Sequence, residues 1–246
     1  MASDWDRRDA DLSRRRFLTR LGAAAAGAAV LGPAEVAAAN RPQQSRAPHP
    51  KTPAAALRVL QAGNWRYRHG KLQLRDYSPV GVRRASKQQP FAAILTCADS
   101  RISPELVFDV ERGNLFVSRI AGNCVEVGTL GSTEYAVAVL GVKLVMVLGH
   151  SDCGAVKAAL EVARGAKSYP AKKYGAIGNV VDEVVPAVRG IPAGKNAVAQ
   201  GVVANARAQA EVLRGREPII APVVRREDLN VVAAVYDIGS GRVSLV

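Results

Sequence analysis

From residue 91 onward, short apolar runs alternate with longer stretches of helical periodicity, and turn residues separate most of them. Residues 91–96 (FAAILT), 115–120 (LFVSRI), 143–148 (KLVMVL) and 231–238 (VVAAVYDI) have the length and apolar content of strands. The first and third are almost unbroken in hydrophobicity, the pattern of parallel strands covered on both faces. Residues 129–140, 155–163, 179–188 and 195–215 carry helical spacing between them. This alternation predicts an α/β fold, a central mostly parallel β-sheet flanked by helices. Residues 243–246 follow a Gly239-Ser240-Gly241 turn and are expected to add an antiparallel C-terminal edge strand. Upstream, Thr52-Pro53 reads as an N-cap with proline at the first helical position, opening a helix over 54–65.

The first 39 residues follow a different logic. Ser13-Arg14-Arg15-Arg16-Phe17-Leu18 fits the twin-arginine export pattern, an alanine-rich apolar stretch follows over 21–32, and Ala37-Ala38-Ala39 offers a cleavage site. The apolar stretch is too short to span a bilayer comfortably, so no stable membrane span is expected after cleavage. The reading is a signal peptide at 1–39, a polar, proline-rich linker at 40–52 and one domain at 53–246. Its expected partner in transit is the twin-arginine machinery, and its expected destination is periplasmic or extracellular.

Charge changes this picture little. The chain carries 34 basic and 21 acidic residues, a net +13, and removing the leader leaves +12. The basic residues are scattered singly or in pairs such as Arg83-Arg84, Lys172-Lys173 and Arg225-Arg226. Without an aromatic-studded basic run or a binding motif, nucleic acid is not an expected partner.

The chemistry lies in two short motifs. Cys97-Ala98-Asp99-Ser100-Arg101 follows the first predicted strand, and Gly149-His150-Ser151-Asp152-Cys153-Gly154 follows the third. Both therefore sit at carboxyl ends of strands, where open α/β sheets build their sites. Cys97, His150 and Cys153 are ligands suited to a borderline-soft ion such as Zn²⁺, and three of them leave a fourth position open. A structural zinc site would ordinarily recruit a fourth Cys or His. Asp99 is placed either to coordinate or to accept a hydrogen bond from metal-bound water, with Arg101 holding it ionised. The competing role for Asp99 is to cap the helix that Pro104-Glu105 begins. The third cysteine, Cys124, reads as a small buried thiol.

Together these motifs resemble the β-class carbonic anhydrases, and the likeness runs from about Gln88 to Leu160 through the blocks PELVFD, GNLFVSRIAGN and EYAV. The resemblance implies one Zn²⁺ per chain on Cys97, His150 and Cys153, with Asp99 and Arg101 as a catalytic dyad. It implies a substrate pocket that includes Gln88, Phe116, Tyr135 and Gly154, and a homodimer or higher homo-oligomer in which the neighbouring chain supplies part of each pocket. The activity implied is reversible hydration of CO₂ to bicarbonate and a proton by zinc-bound hydroxide. In some members the Asp closes the site as a fourth ligand. Ile120 and Cys124 depart from the family pattern beside the AGN turn. Related scaffolds hydrolyse carbon disulfide or carbonyl sulfide, and a non-catalytic zinc or bicarbonate-sensing protein would use the same ligands.

Overall fold

The computed structural model describes residues 49–73 and 88–246. The expected signal peptide and the linker up to residue 48 lie outside the described residues. Helix α1 (Pro53–Arg68) starts as its sequence dictates, since the Thr52 hydroxyl accepts from the Ala55 amide at 3.2 Å and Pro53 needs no intrahelical partner. It runs three residues past the expected end.

Among the described residues, five strands form one sheet: β1 (Ala92–Thr96), β2 (Leu115–Arg119), β3 (Leu144–His150), β4 (Asn230–Tyr236) and β5 (Val243–Leu245). Their order is β2-β1-β3-β4-β5, parallel throughout except for the antiparallel β4–β5 pair. The expected architecture and its antiparallel edge are both present. The chain leaves β1 toward β2 on one side and returns to β3 on the other, so the order reverses between β1 and β3. That reversal opens a crevice beyond their carboxyl ends.

Successive residues of the central strands face opposite cores. Ile94, Met146 and Leu148 join one cluster with Ala56 and Leu60 of α1, and with Val156, Leu160, Val181 and Val184 from α4 (Gly154–Ala163) and α6 (Ile177–Val188). Leu95, Val145 and Val147 join the other, with Ala136 of α3 (Val127–Ala138), Ala206 and Leu213 of α7 (Ala197–Arg214) and Ile220 of α8 (Ile220–Arg225). Coverage on both faces is why β1 and β3 are buried at every position and apolar at nearly all of them. The short helices α2 (Pro104–Val107) and α5 (Ala171–Tyr174) and a single 3₁₀ turn (Ala121–Asn123) complete the described elements. Both α5 and α8 escape periodicity because each spans too few residues to reveal a face, and α8 contains Pro222.

Gly63 makes the docking of α1 possible. A Cβ there would lie 1.7 Å from the Phe108 carbonyl oxygen, which belongs to backbone and cannot step aside. The next residue, Asn64, donates to the carbonyls of Val107 and Gly241 and accepts from the Val243 amide, tying α1 to α2 and to the β4–β5 hairpin. Gly63→Ala is expected to separate α1 from this seat and lower the melting temperature by more than about 5 °C, read by calorimetry, which at this size corresponds to at least about 2 kcal/mol. An unchanged melting temperature would contradict the packing described.

Candidate metal centre

The sheet brings the two motifs together at the crevice. β1 delivers Cys97 one residue past its last paired position, and β3 extends further than expected, so that His150 is its final residue, opposite Tyr236 of β4. Cys153 then caps the N-terminus of α4 after a tight turn in which Asp152 takes φ +61°. The donor atoms of Cys97, His150 and Cys153 all lie within 4.8 Å of one another, and all three side chains are buried.

The tautomer of His150 follows from its partner. Its Nδ1 lies 2.9 Å from the Ser151 carbonyl, which can only accept, so Nδ1 carries the proton and Nε2 presents a lone pair. Nε2 is buried without a hydrogen-bond partner. Ser151 is held in turn by β4: its amide donates to the Tyr236 carbonyl at 2.9 Å, and its hydroxyl accepts from the Ile238 amide at 2.9 Å.

The two thiols differ. Cys97 is drawn down to about 4, chiefly by its hydrogen bond from Cys153, against burial; His150 and the Gly122 amide add to the effect. The same contact, together with burial, pushes Cys153 up. Burial opposes a proton on His150, but the closeness and negative charge of Cys97 outweigh it and raise its pKa. Three converging donors, one with an unsatisfied lone pair and one favouring its anion, are the arrangement a divalent cation completes. Tetrahedral bonds of about 2.0–2.3 Å place neighbouring N and S donors within about 4 Å of one another, and this set lies within 4.8 Å.

Asp99 borders the cluster. Its Oδ1 accepts from the Arg101 backbone amide and Nε, each at 2.9 Å, and its Oδ2 accepts from Arg101 Nη2 at 2.7 Å. This two-pronged hold keeps the Asp99 carboxyl well below the usual carboxylate range, the Arg101 side-chain bonds being the largest cause. Oδ2 also lies 3.9 Å from His150 Nε2. Asp99 does not cap the helix after it; Ser103 occupies the N-cap of α2.

Arg119, at the end of β2, was not singled out by sequence. Its Nε donates to the Cys97 carbonyl at 3.2 Å and its Nη2 to the Asp99 carbonyl at 2.6 Å, fastening the loop that carries both. Register supplies the signal: Arg119 pairs with Thr96, the residue before Cys97. Cys124 is the buried thiol expected, free of disulfide and pushed up to about 11 by burial.

The comparisons with known proteins now bear on this site. The carbonic anhydrase family model matches residues 92–243, which span both motifs. Carbonic anhydrase 2 of Mycobacterium tuberculosis is 37% identical over 197 residues, covering 78% of this chain and 92% of that protein. Among solved structures, the β-carbonic anhydrase CcaA aligns with a TM-score of 0.60 at 25% identity, over 77% of this chain and 94% of that one. A tetrameric β-carbonic anhydrase of Sordaria macrospora aligns at 0.59 and 26% identity, over 67% of this chain and 84% of that one.

This chain belongs to the β-class carbonic anhydrase family.

In this carbonic anhydrase the expected pocket residues divide into groups. Gly154 opens α4 directly beside Cys153. Phe116 of β2 and Tyr135 of α3 lie together, with ring centroids 6.1 Å apart. Gln88 is exposed and precedes β1, so within one chain it stands at the opposite end of that strand from Cys97. Val127 and Tyr135 of α3 and Val139 at its C-cap are exposed apolar side chains.

Proposed function

We propose that this carbonic anhydrase holds one Zn²⁺ on Cys97, His150 and Cys153 and hydrates CO₂ reversibly to bicarbonate and a proton. The observation that carries the reading is the buried convergence of those three donors beside an Arg-paired carboxylate. Zinc held there supplies Lewis acidity, lowering the pKa of a coordinated water toward about 7 so that a nucleophile exists at neutral pH.

The chain's own residues supply selection and orientation. Asp99 is held ionised by Arg101 and therefore only accepts hydrogen bonds, so it favours a species at the fourth position that still carries a proton. Arg119 keeps the backbone beneath Asp99 in place through its bond to the Asp99 carbonyl. In a homo-oligomer, Phe116 offers apolar surface to an uncharged substrate in the neighbouring chain's pocket. Release of Asp99 from Arg101 would let the carboxylate occupy the fourth position itself, the closed form of the same site.

The assembly we propose is a homodimer or larger homo-oligomer in which Gln88, Phe116 and Tyr135 serve a neighbouring chain's pocket. Gln88's place at the far end of β1 and the exposed apolar side chains Val127, Tyr135 and Val139 on and just after α3 support it. We further propose that residues 1–39 direct twin-arginine export to a periplasmic or extracellular destination. Arg14→Lys with Arg15→Lys is expected to retain the protein inside the cell in fractionation, and unchanged delivery would overturn the assignment. The catalytic proposal is tested by stopped-flow CO₂ hydration with zinc-loaded protein. Rapid, zinc-dependent turnover is expected, and a zinc-replete protein inactive at every pH would refute it.

A further inference from the structure

Two buried amide side chains on α7 have no part in the chemistry above. Asn205 and Gln209 are 1% and 6% exposed and lie one helical turn apart. Gln209 Oε1 accepts from the Val125 amide at 2.8 Å, while its Nε2 donates at 3.3 Å to both Asn205 Oδ1 and the Glu183 carbonyl of α6. Because Asn205 Oδ1 is occupied as an acceptor, its Nδ2 faces the other way and donates to the Gly122 carbonyl at 2.8 Å. The two amides thus grip residues 122–125 on either side of Asn123 and Cys124. Gly122 is the residue whose own amide points at Cys97 Sγ, at 3.4 Å. It takes φ +74°, and a Cβ there would come within 2.9 Å of Val184 and 3.1 Å of Ala155, so the turn is clamped by packing as well.

Resting on the zinc reading above, we propose that Asn205 and Gln209 are positioning residues for the metal ligand Cys97, holding the 122–125 turn so that the Gly122 N–H donates to its sulfur. A hydrogen bond to a thiolate withdraws electron density from sulfur and fixes its direction, and outer partners of metal ligands typically govern metal affinity by 10–100-fold. The helix α7, remote in sequence from both motifs, thereby tunes one ligand of the site.

Asn205→Leu keeps the size of the side chain and removes its donor; Gln209→Met keeps Asn205 and removes the group that orients it. Each is purified with zinc, stripped, and loaded with Co²⁺ or titrated with Zn²⁺ against a chelator. In Asn205→Leu the thiolate-to-cobalt charge-transfer band is expected to move to longer wavelength, and zinc affinity to fall about 10-fold. Gln209→Met is expected to move both readouts in the same direction by less. A purely structural role would lower the melting temperature and leave both unchanged, and that result in either folded variant overturns the proposal. Neither readout requires turnover, so a wild type that binds metal but does not hydrate CO₂ would sink the functional reading and leave this one standing.

Discussion

Cys97→Ser is expected to yield a folded protein whose zinc affinity is at least about 100-fold weaker than that of the wild type and whose CO₂ hydration is indistinguishable from buffer. Outer partners alone are worth up to about 100-fold in metal affinity, so replacing a ligand must cost at least as much. The substitution exchanges a soft sulfur for a hydroxyl oxygen that does not ionise near neutral pH. Cys97 is the thiol most ready to deprotonate, drawn down to about 4 chiefly by Cys153. Its partners would remain converged without it: His150 stays anchored through Nδ1 to the Ser151 carbonyl, and Cys153 stays at the start of α4. The fold should survive because Ser is slightly smaller than Cys and the Gly122 amide can still donate to an oxygen. Zinc content after dialysis against chelator and stopped-flow rates provide the check. A variant that keeps both zinc and activity would remove Cys97 from the ligand set.

Asp99→Asn should separate chemistry from metal binding. Zinc is expected to stay within about 10-fold of the wild type, while kcat/KM falls roughly 100-fold, the scale of losing a positioned proton acceptor. An amide can donate as well as accept, so the site loses its preference for a protonated partner, and Arg101 loses its carboxylate. Arg101→Gln should lower kcat/KM in the same direction through the other half of the pair. The pH dependence follows from the sign of the shift. The folded Asp99 pKa is depressed, so the stability its pairing contributes is fully present above the unfolded value of about 3.9 and is lost only as pH falls through the folded one. Asp99 is therefore ionised throughout the neutral range, and Arg101→Gln should add no new ionisation above about pH 5 to the rate profile. A fresh midpoint near neutrality in that variant, or full activity in Asp99→Asn, would contradict the roles assigned.

Much of this protein was legible from residues alone. The strands at 91–96 and 143–148 announced themselves because burial on both faces leaves little room for polar positions, and the candidate ligands Cys97 and His150 were legible because each stands where such a strand ends. Asp99 and Arg101 were readable as a pair because two residues of separation let a side chain reach back to its neighbour's carboxylate. Arg119, Asn205 and Gln209 were not, and for a common reason. Arg119 contacts residues 20 and 22 positions earlier, and Asn205 contacts one 83 positions away. A buried glutamine or asparagine inside an amphipathic helix is spelled like a surface one until the helix is docked. The end of β3 was also misjudged by two residues, because Gly149 and His150 look like a turn and only pairing with Val235 and Tyr236 keeps them in the strand.

Local chemistry, then, was legible in sequence: soft candidate ligands near strand ends, a carboxylate with an arginine two residues on, and apolar runs that read as central strands. These depend on residue type and short-range spacing, which a linear chain carries in full. Tertiary structure decided what depends on distance between remote segments. It closed three donors to within 4.8 Å, fixed the His150 tautomer through Ser151 and β4, and brought an amide of the AGN turn, gripped from α7, against the Cys97 sulfur. Those contacts arise where helices pack closely against both faces of one sheet, and no spacing along the chain encodes that directly.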